Sequence, residues 1–211
     1  MNLLWPVLLA LLAVAAVPLA SPVFGADAAP NSLGLDATYD VSATVRWDAR
    51  KLVVSSTATI TNSTDQEVPG FTFNLVPAKI GQIVLGQVLV DGNVAAAQVD
   101  DQNVIVDMPA PLQPGAVATV TIDYTATFAK RAKGKRYLFE KRGGVVTAYR
   151  WIPWLSRRYT FKTPGFGEPH VTQVTREVSV KLTSDNPSLK FATSGQLVAS
   201  EGSTHEYIAH D

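Results

Sequence analysis

Ala116 to Phe128 reads AVATVTIDYTATF, and the reading of this stretch decides the fold. Val117, Thr119, Thr121, Asp123 and Thr125 alternate with Ala118, Val120, Ile122, Tyr124 and Ala126. A period of two sends alternate side chains to opposite faces of a strand, so one face is apolar and the other polar. Working outward, Tyr39, Val41, Ala43, Val45 and Trp47 alternate in the same way with Asp40, Ser42, Thr44 and Arg46. Leu52 to Ile60 is rich in β-branched residues, which fit a pleated surface. Phe71 to Leu75 alternates and is stopped by Pro77.

Turn chemistry separates these runs. Asp48-Ala49-Arg50 and Asp100-Asp101-Gln102 read as turns, and Asn62-Ser63-Thr64-Asp65 is a turn whose short polar side chains can bond their own backbone. Asp91-Gly92-Asn93 is a hairpin signal, with Ile83 to Val90 before it and Val94 to Val99 returning. Pro109, Pro111 and Pro114-Gly115 form a stiff connection before the longest alternating run. No segment carries a helix of three turns. Short strands at this spacing predict an all-β domain, an antiparallel sandwich or saddle.

Residues 1–28 stand apart. Leu3 to Ala20 is nearly unbroken Leu, Ala and Val, and no charge occurs before Asp27. This is the pattern of a cleaved secretory signal, with an uncleaved membrane anchor as the alternative. Either way the rest is expected outside the cytoplasm, secreted or tethered. The chain has no cysteine, which excludes disulfides and thiolate metal sites, so stability rests on packing.

Eighteen Lys and Arg balance eighteen Asp and Glu, yet the two signs are separated. Acidic residues dominate to Ala129. Lys133, Lys135, Arg136, Arg157 and Arg158 belong to a basic stretch from Lys130 to Arg158 that contains only Glu140 as a counter-charge. A solvated loop and strand face accounts for such a stretch, and export argues against nucleic acid as its partner.

The order of the motifs resembles a known family. Tyr39-Asp40-Val41-Ser42-Ala43, Ala58-Thr59-Ile60-Thr61-Asn62, Phe71 with Asn74-Leu75 and Pro77, and Val88-Leu89-Val90-Asp91-Gly92 come first. Pro111-Leu112, Pro114-Gly115, Tyr149-Arg150-Trp151-Ile152-Pro153, Gly167-Glu168-Pro169, Glu177 to Val180 and Ala192 to Gly195 follow. The set is similar to the amino-terminal β-domain of the membrane alanyl aminopeptidase family, gluzincin zinc metallopeptidases that include leukotriene-A hydrolase, in a divergent bacterial form. The resemblance spans about Leu35 to Asp211, within a β-domain expected over residues 29–211, and implies a saddle that packs on a thermolysin-like catalytic domain and walls the substrate cleft. It further implies a domain cut short at its carboxy-terminal edge, with that catalytic domain on the same or a companion polypeptide and peptide substrate met only indirectly.

The family's Gly-x-Met-Glu-Asn and His-Glu-x-x-His motifs do not occur in this sequence. No catalytic or metal residue is therefore assigned, and zinc is implied only where the catalytic domain follows. Gly143 and Gly144 stand where the family's anchoring residue is expected. His205 and His210 mimic a zinc motif, but a spacing of five puts them on opposite faces of a strand. His170 follows Pro169 as a loop or strand-edge residue. Candidate contacts with the catalytic domain are Trp151, Pro153, Trp154, Gly167, Glu168 and Pro169, with Trp151 expected inside and Trp154 at the contact. The alternative function is a free-standing extracytoplasmic module that binds a surface polymer or a protein.

Overall fold

The computed structural model describes residues 35–130, 137–156 and 176–210. The amino-terminal segment, Lys133, Lys135, Arg136, Arg157, Arg158, Gly167, Glu168, Pro169 and His170 lie outside the described residues. Fourteen strands and one short helix are formed among the described residues. No helix among them is long and apolar enough to cross a membrane.

The strands are β1 (Leu35–Arg46), β2 (Lys51–Asn62), β3 (Val68–Asn74), β4 (Gln82–Val90), β5 (Asn93–Val94), β6 (Ala97–Asp100) and β7 (Asn103–Leu112). They continue as β8 (Val117–Thr127), β9 (Phe139–Arg142), β10 (Val145–Ala148), β11 (Trp154–Leu155), β12 (Glu177–Ser184), β13 (Gln196–Glu201) and β14 (Thr204–His210). Helix α1 (Val76–Ile80) takes Pro77 into its first turn, where the missing N–H costs nothing.

Eight strands form one sheet in the order β13-β14-β12-β1-β2-β8-β4-β5, and four form a second in the order β11-β3-β7-β6. A β9–β10 hairpin stands beside them. The inward positions of β8 are Ala118, Val120, Ile122, Tyr124 and Ala126, all buried, which is the face that alternation assigned to the core. Tyr39, Val41, Ala43 and Val45 of β1 lie in the same layer and pair with Ala58, Ser56, Val54 and Leu52 of β2. The four-stranded sheet closes the core with Phe71, Phe73, Val104 and Val106.

The outward face is polar and hydroxyl-rich. Thr57 pairs with Thr121, with hydroxyls 2.9 Å apart, and Lys181 bridges Glu206 at 3.0 Å.

Two features correct the sequence expectation. Among the described residues the β1–β12 pair is parallel, whereas every other strand pair is antiparallel. Alternation carries no information on strand direction, and a parallel neighbour needs a long crossover, here the whole intervening chain. The return after the Asp91-Gly92 hairpin is also not one strand. β5 stays in the large sheet, then Ala95 and Ala96 carry the chain into β6 of the small one. Ala95 N–H still donates to Val88 O, while Ala96 O already accepts from Asp107 N.

At the Asp91-Gly92 turn both residues have positive φ, 49° and 77°, as a two-residue hairpin loop requires. Asn62 locks the turn between β2 and β3. It is buried, its Nδ2 donates to Gln66 O and Leu112 O, and its Oδ1 accepts from Thr64 N and Oγ1.

Candidate functional site

The segment from Phe139 to Ser156 carries the tryptophans singled out in the sequence. Its β9–β10 hairpin turns through Gly143 and Gly144, both at positive φ, 56° and 82°. Phe139 stacks on Phe128 at 4.6 Å between ring centroids. Arg50 ties the hairpin to the sheet by donating to the carbonyls of Phe128, Ala129 and Lys141. Lys141, from the basic stretch, is used internally: its ammonium lies 3.7 Å from the Trp47 ring centroid and donates to Trp47 O at 2.6 Å.

After Ala148 the chain reverses at Arg150, whose φ of 45° is uncommon for a residue with a side chain. The next five residues are held at both ends by tyrosines from the large sheet. Tyr124 Oη donates to Trp151 O, and Tyr39 Oη accepts from Leu155 N at 2.9 Å. Trp154 and Leu155 then pair with Asn74 and Phe73 as β11, and the Tyr39 and Trp154 rings meet edge to face at 4.9 Å. Burial raises the pKa of both phenols. For Tyr39 desolvation is the larger cause, partly opposed by the Leu155 N–H, and for Tyr124 desolvation is the cause. Both phenols therefore stay protonated at neutral pH.

Pro153 is buried, and Trp151 and Trp154 are both half-buried. Trp151 divides a cleft between the inner face of the large sheet and the loop from Asn186 to Thr193. One lobe, about 610 Å³, is floored by Val45, Leu52, Phe128 and Leu182 and walled by Trp47, Val146 and Phe191. The other, about 390 Å³, is floored by Val178, Val180, Tyr207 and Ala209 and walled by Trp151 and Trp154. Ala148, Trp151, Ala192 and Thr193 line both. Beyond the second lobe β13 forms the sheet edge. Every residue of it is exposed, Leu197 at 50% and Val198 at 51%. The last described strand, β14, is flanked on both sides by β12 and β13.

The histidines do not converge. His205 Nδ1 lies 3.0 Å from Ser200 Oγ with its ring against Phe191. His210 sits on the opposite face of β14, 3.6 Å from Glu177. Among the described residues no three His, Cys, Asp or Glu side chains gather to hold a metal. The described donor set does not fit the zinc that the resemblance implies for a catalytic domain.

The alternation puts Tyr39 and Tyr124 on the apolar faces of their strands and says nothing of what their hydroxyls do. The available signal was a tyrosine at an inward position otherwise held by Val, Ala and Ile, because a buried phenol needs a partner. The cleft itself was not legible, since Leu189, Lys190 and Phe191 belong to no periodic run.

Solved structures give this arrangement a context. The M1 zinc metallopeptidase of Deinococcus radiodurans is similar over 84% of this chain and 39% of its own, with a TM-score of 0.57 and 20% identity. A variant of an M1 zinc metallopeptidase from the same organism, bound to a Tyr-Ser-Ala substrate, is similar over 85% and 40%, with a TM-score of 0.57 and 18% identity. The fold is that of the amino-terminal part of M1 zinc metallopeptidases. Leukotriene A4 hydrolase of Saccharomyces cerevisiae shares it at a TM-score of 0.53 and 11% identity, over 85% of this chain and 27% of its own. The chain thus spans about two-fifths of the M1 structures or less. No protein-family model matches the sequence, and no curated protein matches it.

Proposed function

We propose that this protein is the non-catalytic β-domain of an exported, zinc-dependent aminopeptidase-like assembly. In this reading it walls the substrate cleft and docks a thermolysin-like catalytic domain, on the same or a companion polypeptide. The observation that carries the proposal is the Trp151–Trp154 segment, fixed by Tyr39 and Tyr124 beside an incompletely covered sheet face. Both indoles keep part of their surface exposed and so offer apolar area to bury on association. The pinned backbone adds preorganisation, so little ordering is lost on docking.

Ser200 Oγ lies 3.0 Å from His205 Nδ1, but on the exposed edge strand β13 and with the His205 ring against Phe191, and this reading assigns the chemistry to the partner. Export is supported by the apolar run from Leu3 to Ala20. Antibody against the purified chain, used on the extracytoplasmic fraction of the source cells, should recover a chelator-sensitive aminopeptidase activity on the beads. Recovery of the antigen with no such activity contradicts the proposal.

The alternative, a free-standing binding module, draws support from β14 being paired on both sides. It predicts that the captured antigen is the single chain.

A further inference from the structure

The cleft has a charge character as well as a shape. Among the described lining residues of its two lobes there is no carboxylate, while Lys190 reaches the first lobe and Arg150 the second. Neither cation has an ion-pair partner among the described residues. Arg150 leans on its neighbour Tyr149, with Nε donating to the phenol oxygen at 3.2 Å. Lys190 is exposed. The two cations therefore stand at the two lobes with no counter-charge among the described residues.

We infer that the open half of the inner face receives an apolar polypeptide segment that carries carboxylates, one anchor on each side of Trp151 and acidic groups opposite Arg150 and Lys190. The inference rests on the docking reading above and names the partner's chemistry. Lobes of several hundred Å³ take a large apolar side chain each, and anchors that fill such pockets carry most of an interface's energy. Unpaired cations at the rim select by charge, which fixes register and rejects basic segments. A second copy of this chain fits less well, because its exposed edge β13 presents Leu197 and Val198 with a single acid, Glu201.

The test uses two matched probes below their micelle concentrations, N-dodecanoyl-glutamate and the amide of N-dodecanoyl-lysine, titrated into the full-length chain. Binding is read from tryptophan fluorescence, since Trp47 and Trp151 line the first lobe and Trp151 and Trp154 the second. The glutamate probe should bind at least tenfold tighter. Lys190→Glu alone should reduce that preference, and Arg150→Glu with Lys190→Glu should reverse it. Ala192→Trp, which fills the wall shared by both lobes, should weaken both probes. Arg46→Glu on the outward face should change nothing. Equal affinities, a preference that survives the double reversal, or no saturable binding of either probe would overturn the inference. Because these titrations need no partner, their failure is separate from a failure to recover peptidase activity by antibody capture.

Discussion

The two halves of the eight-stranded sheet have the same alternation and different cover. In β1, β2 and β8 the inward Val41, Ile60 and Val120 have no exposed surface, because the four-stranded sheet lies over them. In β12 and β14 the inward Val178, Val180, Leu182 and Tyr207 line a cleft, and β13 beyond them is fully exposed. Alternation reports which face a side chain joins and not what lies over that face. These inward residues of the second half keep 6–9% of their surface exposed, where Val41, Ile60 and Val120 of the first keep none.

The contrast should appear most strongly in truncations. Phe73→Ala removes a ring from the closed half and should cost about 3–5 kcal/mol. Leu182→Ala, at the cleft floor, should cost about 2 kcal/mol, since that site already adjoins open space. Denaturant midpoints measure both, and equal losses would erase the distinction between the halves.

Alkaline pH probes the seam where the two halves meet. Below the ordinary phenol value of 10.0 both phenols keep their protons in either state and add no pH dependence. Above it the unfolded chain ionises while the buried Tyr39 and Tyr124 do not, so stability falls as pH rises. Each phenol should contribute a loss of about 1.4 kcal/mol per pH unit until it ionises in the folded state. Unfolding followed against pH, with tyrosinate absorbance as the second probe, checks this. A midpoint unchanged well above pH 10 would contradict the burial of both phenols.

Tyr39→Phe sharpens the same point at a single atom. It leaves the Leu155 N–H without its acceptor and should cost about 1–3 kcal/mol. It should also redden the emission of Trp154, which packs on the Tyr39 ring. A stable variant with unchanged emission would mean that the segment is held by other contacts.

Leu197→Lys should have the smallest effect. On an exposed edge strand it should change stability by less than about 0.5 kcal/mol while lowering any tendency of the free chain to associate. Sedimentation at two concentrations measures that tendency, and a large loss of stability would show that β13 is not a free edge.

Much of the fold was legible in the sequence, and the reasons are local. The inward sets of β1 and β8 follow directly from alternation, and the Asp91-Gly92 and Asn62 turns follow from residue types that favour positive φ or bond their own backbone. The parallel β1–β12 pair and the passage of Ala95–Ala96 between sheets were not legible, because both depend on contacts far apart in sequence. The same limit applies to the site. Trp151, Pro153 and Trp154 could be named from composition and resemblance, but the hydroxyl pins arise from Tyr39 and Tyr124, distant in the chain. The opposition of His205 and His210 needed only the odd spacing, and β14 places them on its two faces.

Hydrogen exchange on the free chain and on the antibody-captured assembly tests the central claim most directly. The account predicts slower exchange in the assembly at β13, β14 and the loop from Leu189 to Ser194, with no change at β4 and β5 on the far edge. Unchanged exchange in that half, or new protection confined to β4 and β5, would contradict it.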